Sequence, residues 1–201
     1  MGMPALAITD HGNMYGVKEF FKFANKHVDK ATGHFKVKPI IGCEVYVTRH
    51  YDPKLKDSEH RSYYHLILLA KNFEGYKNLM KIVSLGHIEG LYYGKPRVSH
   101  EIIEKYHENL ICCSACLAGE IPKNIVAGKM DEARKAIEWH KKVFGDDYYL
   151  EVMLHKTEVP GLSLEVYDEQ KISNEGIFQL AAEMGVKVVA TNDVHFVNKE
   201  D

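Results

Sequence analysis

Long apolar runs are missing from this chain. The longest, Leu66–Ala70 and Leu110–Cys113, fall far short of the roughly 20 residues that span a bilayer, and no charged-then-apolar leader opens the sequence. Membrane insertion is not expected, and a cytoplasmic location follows. Cysteine is scarce too: Cys43, Cys112, Cys113 and Cys116 show no secreted-scaffold spacing, which fits a reducing compartment. Cys113 and Cys116 form one C-x-x-C, but no second pair exists to complete a structural zinc cage. An excess of positive charge is also lacking, with 26 Lys and Arg against 28 Asp and Glu and a formal net charge of -2. The chain therefore lacks the basic footprint of a domain that grips nucleic acid by itself. Repeats, low-complexity tracts and linkers are absent.

What remains is a globular composition: 201 residues, 45% hydrophobic and 27% charged, enough for one sizeable core and too apolar for a disordered chain. Twelve histidines stand against a single tryptophan, which turns attention to metal chemistry.

Short, apolar, mostly β-branched segments predict strands at 5–9, 39–47, 65–70, 110–114, 148–153 and 187–191. Amphipathic spacing predicts helices at 17–27, 73–88, 130–144 and 167–184. The alternation argues for a parallel α/β sheet or barrel. Residues 51–61, charged and carrying Pro53, read as an exposed, mobile loop, and 28–35 as a surface insertion. With no helix between them, the strands at 39–47 and 65–70 are expected to pair as an antiparallel hairpin with a long connection.

In such folds chemistry collects where parallel strands end. Thr9-Asp10-His11-Gly12, Cys116 and Thr191-Asn192-Asp193-Val194-His195 follow strand ends, and Glu44 comes late in its strand. His65 opens its strand, but in the expected hairpin it returns beside Glu44. Imidazole, carboxylate and thiolate together suit Zn²⁺, or Mn²⁺ or Fe²⁺ with more oxygen ligands. Each residue also has an ordinary use: Asp-His-Gly as a capped turn, Cys116 as a buried apolar group, Glu44 as an ion-pair partner and Asp193 as a cap. Their common location shifts the balance towards a site. Glu151 and His155 are candidates for orienting ligands, or else a half-buried carboxylate and a surface imidazole. Tyr92-Tyr93-Gly94-Lys95-Pro96-Arg97 combines aromatics with Lys95 and Arg97, a pattern able to stack a base and pair a phosphate, or to form a packed Tyr-rich turn.

Five segments, Pro4–Gly16, Pro39–Glu44, His65–Asn72, Ser114–Glu120 and Thr191–Phe196, together resemble the polymerase-and-histidinol-phosphatase (PHP) domain, in the version at the N-terminus of bacterial replicative DNA polymerase III alpha subunits. The resemblance spans essentially all 201 residues as a single domain, with polymerase palm and fingers expected downstream. It implies a distorted seven-stranded α/β barrel, similar to a TIM barrel, binding up to three metal ions at one mouth. In some polymerases that barrel is a zinc-dependent 3′-5′ exonuclease.

Carried onto this sequence, the implied ligands are His11, Glu44, His65, Cys116, Asp193 and His195, and the residues expected at the reaction are Asp10, His11, Asp193 and His195. Glu44, His65 and Cys116 would share one ion, Glu44 and Asp193 a second, and His11 with His195 a third. The family's opening strand with its His-x-His ligands, and the helix after it, are not in this sequence. Gly2 followed by Pro4 reads as the stop of a preceding helix, so a fragment is expected. One zinc at Glu44, His65 and Cys116, weak or no nuclease activity and an exposed barrel edge able to dimerise follow from that expectation. DNA, other replisome subunits and a proofreading subunit are the implied partners. Two further readings stand beside the phosphoesterase: a non-catalytic platform for polymerase and proofreading subunit, and a free-standing phosphatase of the histidinol phosphate type.

Overall fold

A computed structural model describes residues 2–49, 51–157 and 163–198. They form two compact units, Met1–Cys112 and Cys113–Asp201. Both are α/β.

The first unit holds β1 (Ala5–Ile8), α1 (Val17–Lys26), β2 (Lys38–Thr48), β3 (Tyr64–Ala70), α2 (Phe73–Glu89), β4 (Leu91–Tyr92), β5 (Lys95–Ser99) and α3 (His100–Tyr106). β6 (Leu110–Cys113) crosses the boundary. The strand order here is β4-β5-β2-β3-β6, with β1 also on β2. The long β2 is the hub. β1 pairs parallel along its first half, from Ala5↔Lys38 to Ile8↔Ile41, and β5 parallel along its end, from Tyr46↔Arg97 to Thr48↔Ser99. On the other side β3 runs antiparallel, from Gly42↔Leu69 to Val47↔Tyr64. The hairpin expected from the missing helix is thus present.

Alternation along β2 sends Cys43, Val45 and Val47 to one face and Glu44 and Tyr46 to the other; all five are buried. Leu79 and Ile82 of α2 are fully buried, each worth roughly 1.5–3 kcal/mol against exposure. Asn72 caps α2, accepting the Gly75 N–H at 3.0 Å.

Residues 51–61 have no regular structure, yet they are tied down. Arg97, 1% exposed, donates from Nε to the Gly90 carbonyl at 3.1 Å and from Nη2 to the carbonyls of Pro53 and Leu55 at 2.8 and 2.9 Å. Its Nη1 reaches the His60 carbonyl and, at 3.4 Å, the Tyr51 hydroxyl. A buried guanidinium must place its donors, and here the loop's carbonyls take them. The segment is largely exposed, as expected, and Arg97 ties its carbonyls to β5. Residues 28–35 close as a small surface hairpin, with Val28 bridged to Phe35 and Asp29 Oδ1 accepting the N–H groups of Ala31 and Thr32.

The second unit holds α4 (Glu120–Val126), α5 (Met130–Phe144), a 3-10 turn (Gly145–Asp147), β7 (Tyr148–Val152), α6 (Glu165–Met184) and β8 (Lys187–Ala190). β7 and β8 pair parallel from Tyr149↔Lys187 to Val152↔Ala190, so α6 serves as their crossover. Ile121, Ile137, Leu150, Ile177 and Leu180 form the core.

The predicted helices and strands are all present within one or two residues. The elements not predicted are α3 and α4, seven residues each and too short to show a period, and the β4–β5 hairpin. That hairpin turns on Tyr93 and Gly94 at φ +48° and +73°, the positive pair that a tight type I′ turn requires.

Candidate metal centre

Glu44 is the organising residue of the first unit. Its side chain is 4% exposed, and its Oε1 accepts from two imidazoles: His11 Nδ1 at 2.6 Å and His65 Nδ1 at 2.9 Å. His65 stands opposite Tyr46 in the β2–β3 register, so it reaches Glu44 along the diagonal of the same sheet face. His11 arrives from the loop after β1. That loop continues the parallel pairing, with Glu44 N–H donating to the Asp10 carbonyl at 3.1 Å and Gly12 N–H to the Glu44 carbonyl at 2.8 Å.

Gly12 makes the approach possible. It lies at φ +65°, and a Cβ there would stand 2.8 Å from Pro96 Cγ and 2.9 Å from Tyr46 Cε2. His87 of α2 closes the loop from outside, its Nε2 donating to the Gly12 carbonyl at 2.8 Å.

Burial alone would raise the Glu44 carboxyl. The hydrogen bonds and charge of His65, then of His11, outweigh it and hold the group below its ordinary 4.5. Cys43, behind the same loop, is pushed up to about 12 by burial and by the neighbouring Asp10 and Glu44 charges. It donates Sγ–H to the Asp10 carbonyl at 3.3 Å. The structure thus gives Cys43 to packing and leaves imidazole and carboxylate as the donors of this unit. A buried anion flanked by two imidazoles, with half of the His11 side chain exposed, fits a divalent cation in both charge and donor type. Glu44 and His65 are placed to ligate one.

Asp10, expected at the reaction, also holds a turn. Its Oδ2 accepts the Gly16 N–H at 2.9 Å at the start of α1, the capped turn that the sequence also allowed. Lys95 lies on the site's side of the sheet, donating Nζ–H to the Tyr46 hydroxyl at 3.3 Å. Arg97, a candidate phosphate contact by sequence, is the buried anchor of residues 51–61 instead. Tyr46 and Tyr63 were not singled out from the sequence. Tyr63 lies parallel to the His65 ring at 5.9 Å, and Tyr46 is 5.3 Å from it. The two-residue step from Glu44 to Tyr46 was the available signal.

In the second unit Cys116 follows β6 in a tight loop, where a Cβ on Gly119 would stand 2.1 Å from the Ser114 carbonyl. Glu151, 5% exposed, fixes that loop. Its Oε2 accepts the Ala115 N–H at 2.7 Å and its Oε1 the Thr191 hydroxyl at 2.8 Å. His155 does the same for the segment after β8. Its Nε2 donates to the Asn192 carbonyl at 2.8 Å, and its Nδ1 lies 2.9 Å from Gln170 Nε2. Asp193 and His195 are exposed on that segment, with His195 Nδ1–H donating to the Asp193 carbonyl at 2.7 Å. Glu151 and His155 therefore hold the two stretches that carry the candidate ligands.

Residues 1–155 match the family model of the PHP domain. The chain belongs to the PHP domain family. Its similarity to DNA polymerase III subunit alpha is high: 43% identity over 200 residues to the protein of Borreliella burgdorferi, covering 99% of this chain and 16% of that relative. The corresponding protein of Deinococcus radiodurans is 41% identical over 203 residues, covering 98% and 14%. That of Thermus aquaticus is 41% identical over 200 residues, covering 98% and 15%. This PHP domain chain thus spans 14–16% of the length of these curated relatives. Among the described residues no helix is long and apolar enough to cross a membrane.

Proposed function

We propose that this chain is the PHP portion of a cytoplasmic DNA polymerase III alpha subunit and that its Glu44 centre is the metal site of a phosphoesterase. The observation that carries the reading is the convergence of His11 and His65 on one oxygen of buried Glu44. The family resemblance assigns Cys116 to the same ion as Glu44 and His65, and carboxylate, imidazole and thiolate together favour zinc. Asp193 and His195 serve further ions in the intact protein.

When bound, a divalent ion supplies positive charge for a phosphoryl oxygen and lowers the pKa of a coordinated water. The chain's own residues do the rest. Glu44 orients both imidazoles, Asp10 holds the turn that presents His11, and Glu151 and His155 hold the segments bearing Cys116 and Asp193. The substrate of the whole polymerase's PHP portion is the 3′ end of a DNA strand. Replisome subunits, a proofreading subunit among them, are its partners. The outer edge of β1 offers a strand-pairing surface for a second copy.

Elemental analysis tests the site. About one zinc per chain is expected, lost in Cys116→Ser and in Glu44→Gln. A wild-type chain that binds no zinc even after dialysis against it sinks the metal reading and favours a structural platform.

A further inference from the structure

Beside the Glu44 centre the sheet presents one cation and a set of rings to which no metal-binding role falls. β2 and β5 run parallel with Tyr46 opposite Arg97. Lys95 lies two residues earlier on β5 and so returns to the face that carries Glu44, Tyr46 and His65. Its ammonium sits 4.8 Å above the Tyr46 ring and donates to the Tyr46 hydroxyl. Tyr46 itself is 3% exposed, so this contact pins the ammonium beside the centre at little cost in side-chain freedom. At the adjoining hairpin turn Tyr93 is 73% exposed. The Arg61 guanidinium lies 4.5 Å over its ring and donates from Nη2 to its hydroxyl at 2.9 Å.

A fixed ammonium next to a metal site, followed two residues away by an exposed ring backed by a second cation, has the form of a contact for single-stranded nucleic acid. The cation meets an oxyanion and the ring stacks a base, without reading sequence. A small phosphomonoester would need the ammonium but not the ring.

Resting on the metal-site reading above, we infer that Lys95 binds the phosphodiester of a single-stranded DNA end at the Glu44 centre and that Tyr93, backed by Arg61, stacks the neighbouring base. Tyr46 is the positioning residue for Lys95.

The test is fluorescence anisotropy of a labelled oligothymidylate of about 12 nucleotides against the full chain over a range of salt concentrations, with zinc measured on the same samples. Lys95→Met is expected to weaken binding about tenfold and to lower the salt slope by about one. Tyr93→Ala weakens it about fivefold with the slope unchanged, and Tyr46→Phe about threefold, because the ammonium loses its hydroxyl anchor. Lys22→Met, on the exposed face of α1, matches wild type. Zinc content stays at the wild-type level in all four.

Wild-type affinity in Lys95→Met, or no salt-dependent binding by wild type, overturns the inference while leaving the metal site standing. So does a Lys95 effect confined to competition by inorganic phosphate, which would point to a small phosphomonoester. Absence of zinc from wild type sinks the metal reading alone, since anisotropy reports on Lys95 with or without the ion.

Discussion

At the scale of single residues, the informative fact is a carboxylate that is buried and yet kept ionised. Removing Glu44 from water opposes its charge, and two imidazoles restore it. The sign of the pH effect follows. A group whose folded pKa lies below its unfolded value contributes stability in full above the unfolded value of 4.5, and that stability is lost as pH falls through the lower folded value. In chelator-treated protein, the difference in Tm between wild type and Glu44→Gln should shrink as pH falls below about 4.5. A difference that stays level through that acid range would mean that Glu44 is not held below its ordinary value. Glu44 and His65 could be paired from the sequence because a missing helix implied a hairpin. That Asp10 holds the α1 turn was not legible, since Asp-His-Gly fits a capped turn and a reacting group alike.

At the scale of elements, β5 joins two tasks. Lys95 faces the centre, and Arg97, two residues on, is sunk among the carbonyls of residues 51–61. Charge-assisted hydrogen bonds of this kind contribute about 1.5–3 kcal/mol each, and orphaned carbonyls add to the loss. Arg97→Met, which keeps most of the aliphatic stem, is expected to cost about 2–4 kcal/mol in urea denaturation and to speed tryptic cleavage at Lys54 and Lys56. Unchanged proteolysis would show that the loop is held by its own turns, those at Asp52 and Asp57 among them. The charge and Pro53 in this segment correctly exclude a helix. They carry no sign of order, because the group that orders it lies 36 or more residues away in sequence.

At the scale of the whole molecule, β1 pairs only with β2 among the described residues, and Leu6 on β1 is 46% exposed. An edge strand of this kind invites pairing unless charge blocks it. Concentration-dependent dimerisation in sedimentation velocity is therefore expected, weakened by Leu6→Lys; a strictly monomeric wild type would refute the edge as a pairing surface. By itself the sequence determined the α/β class, six of the eight strands, the four long helices and the antiparallel β2–β3 hairpin, because period and element order are local properties. Only the tertiary structure decided that Arg97 anchors rather than binds, that Cys43 belongs to packing, that Tyr46 and Tyr63 line the Glu44 centre, and that Glu151 and His155 hold loops. Each of those roles is set by which distant backbone group or ring a side chain meets, and only the folded chain brings such partners within reach.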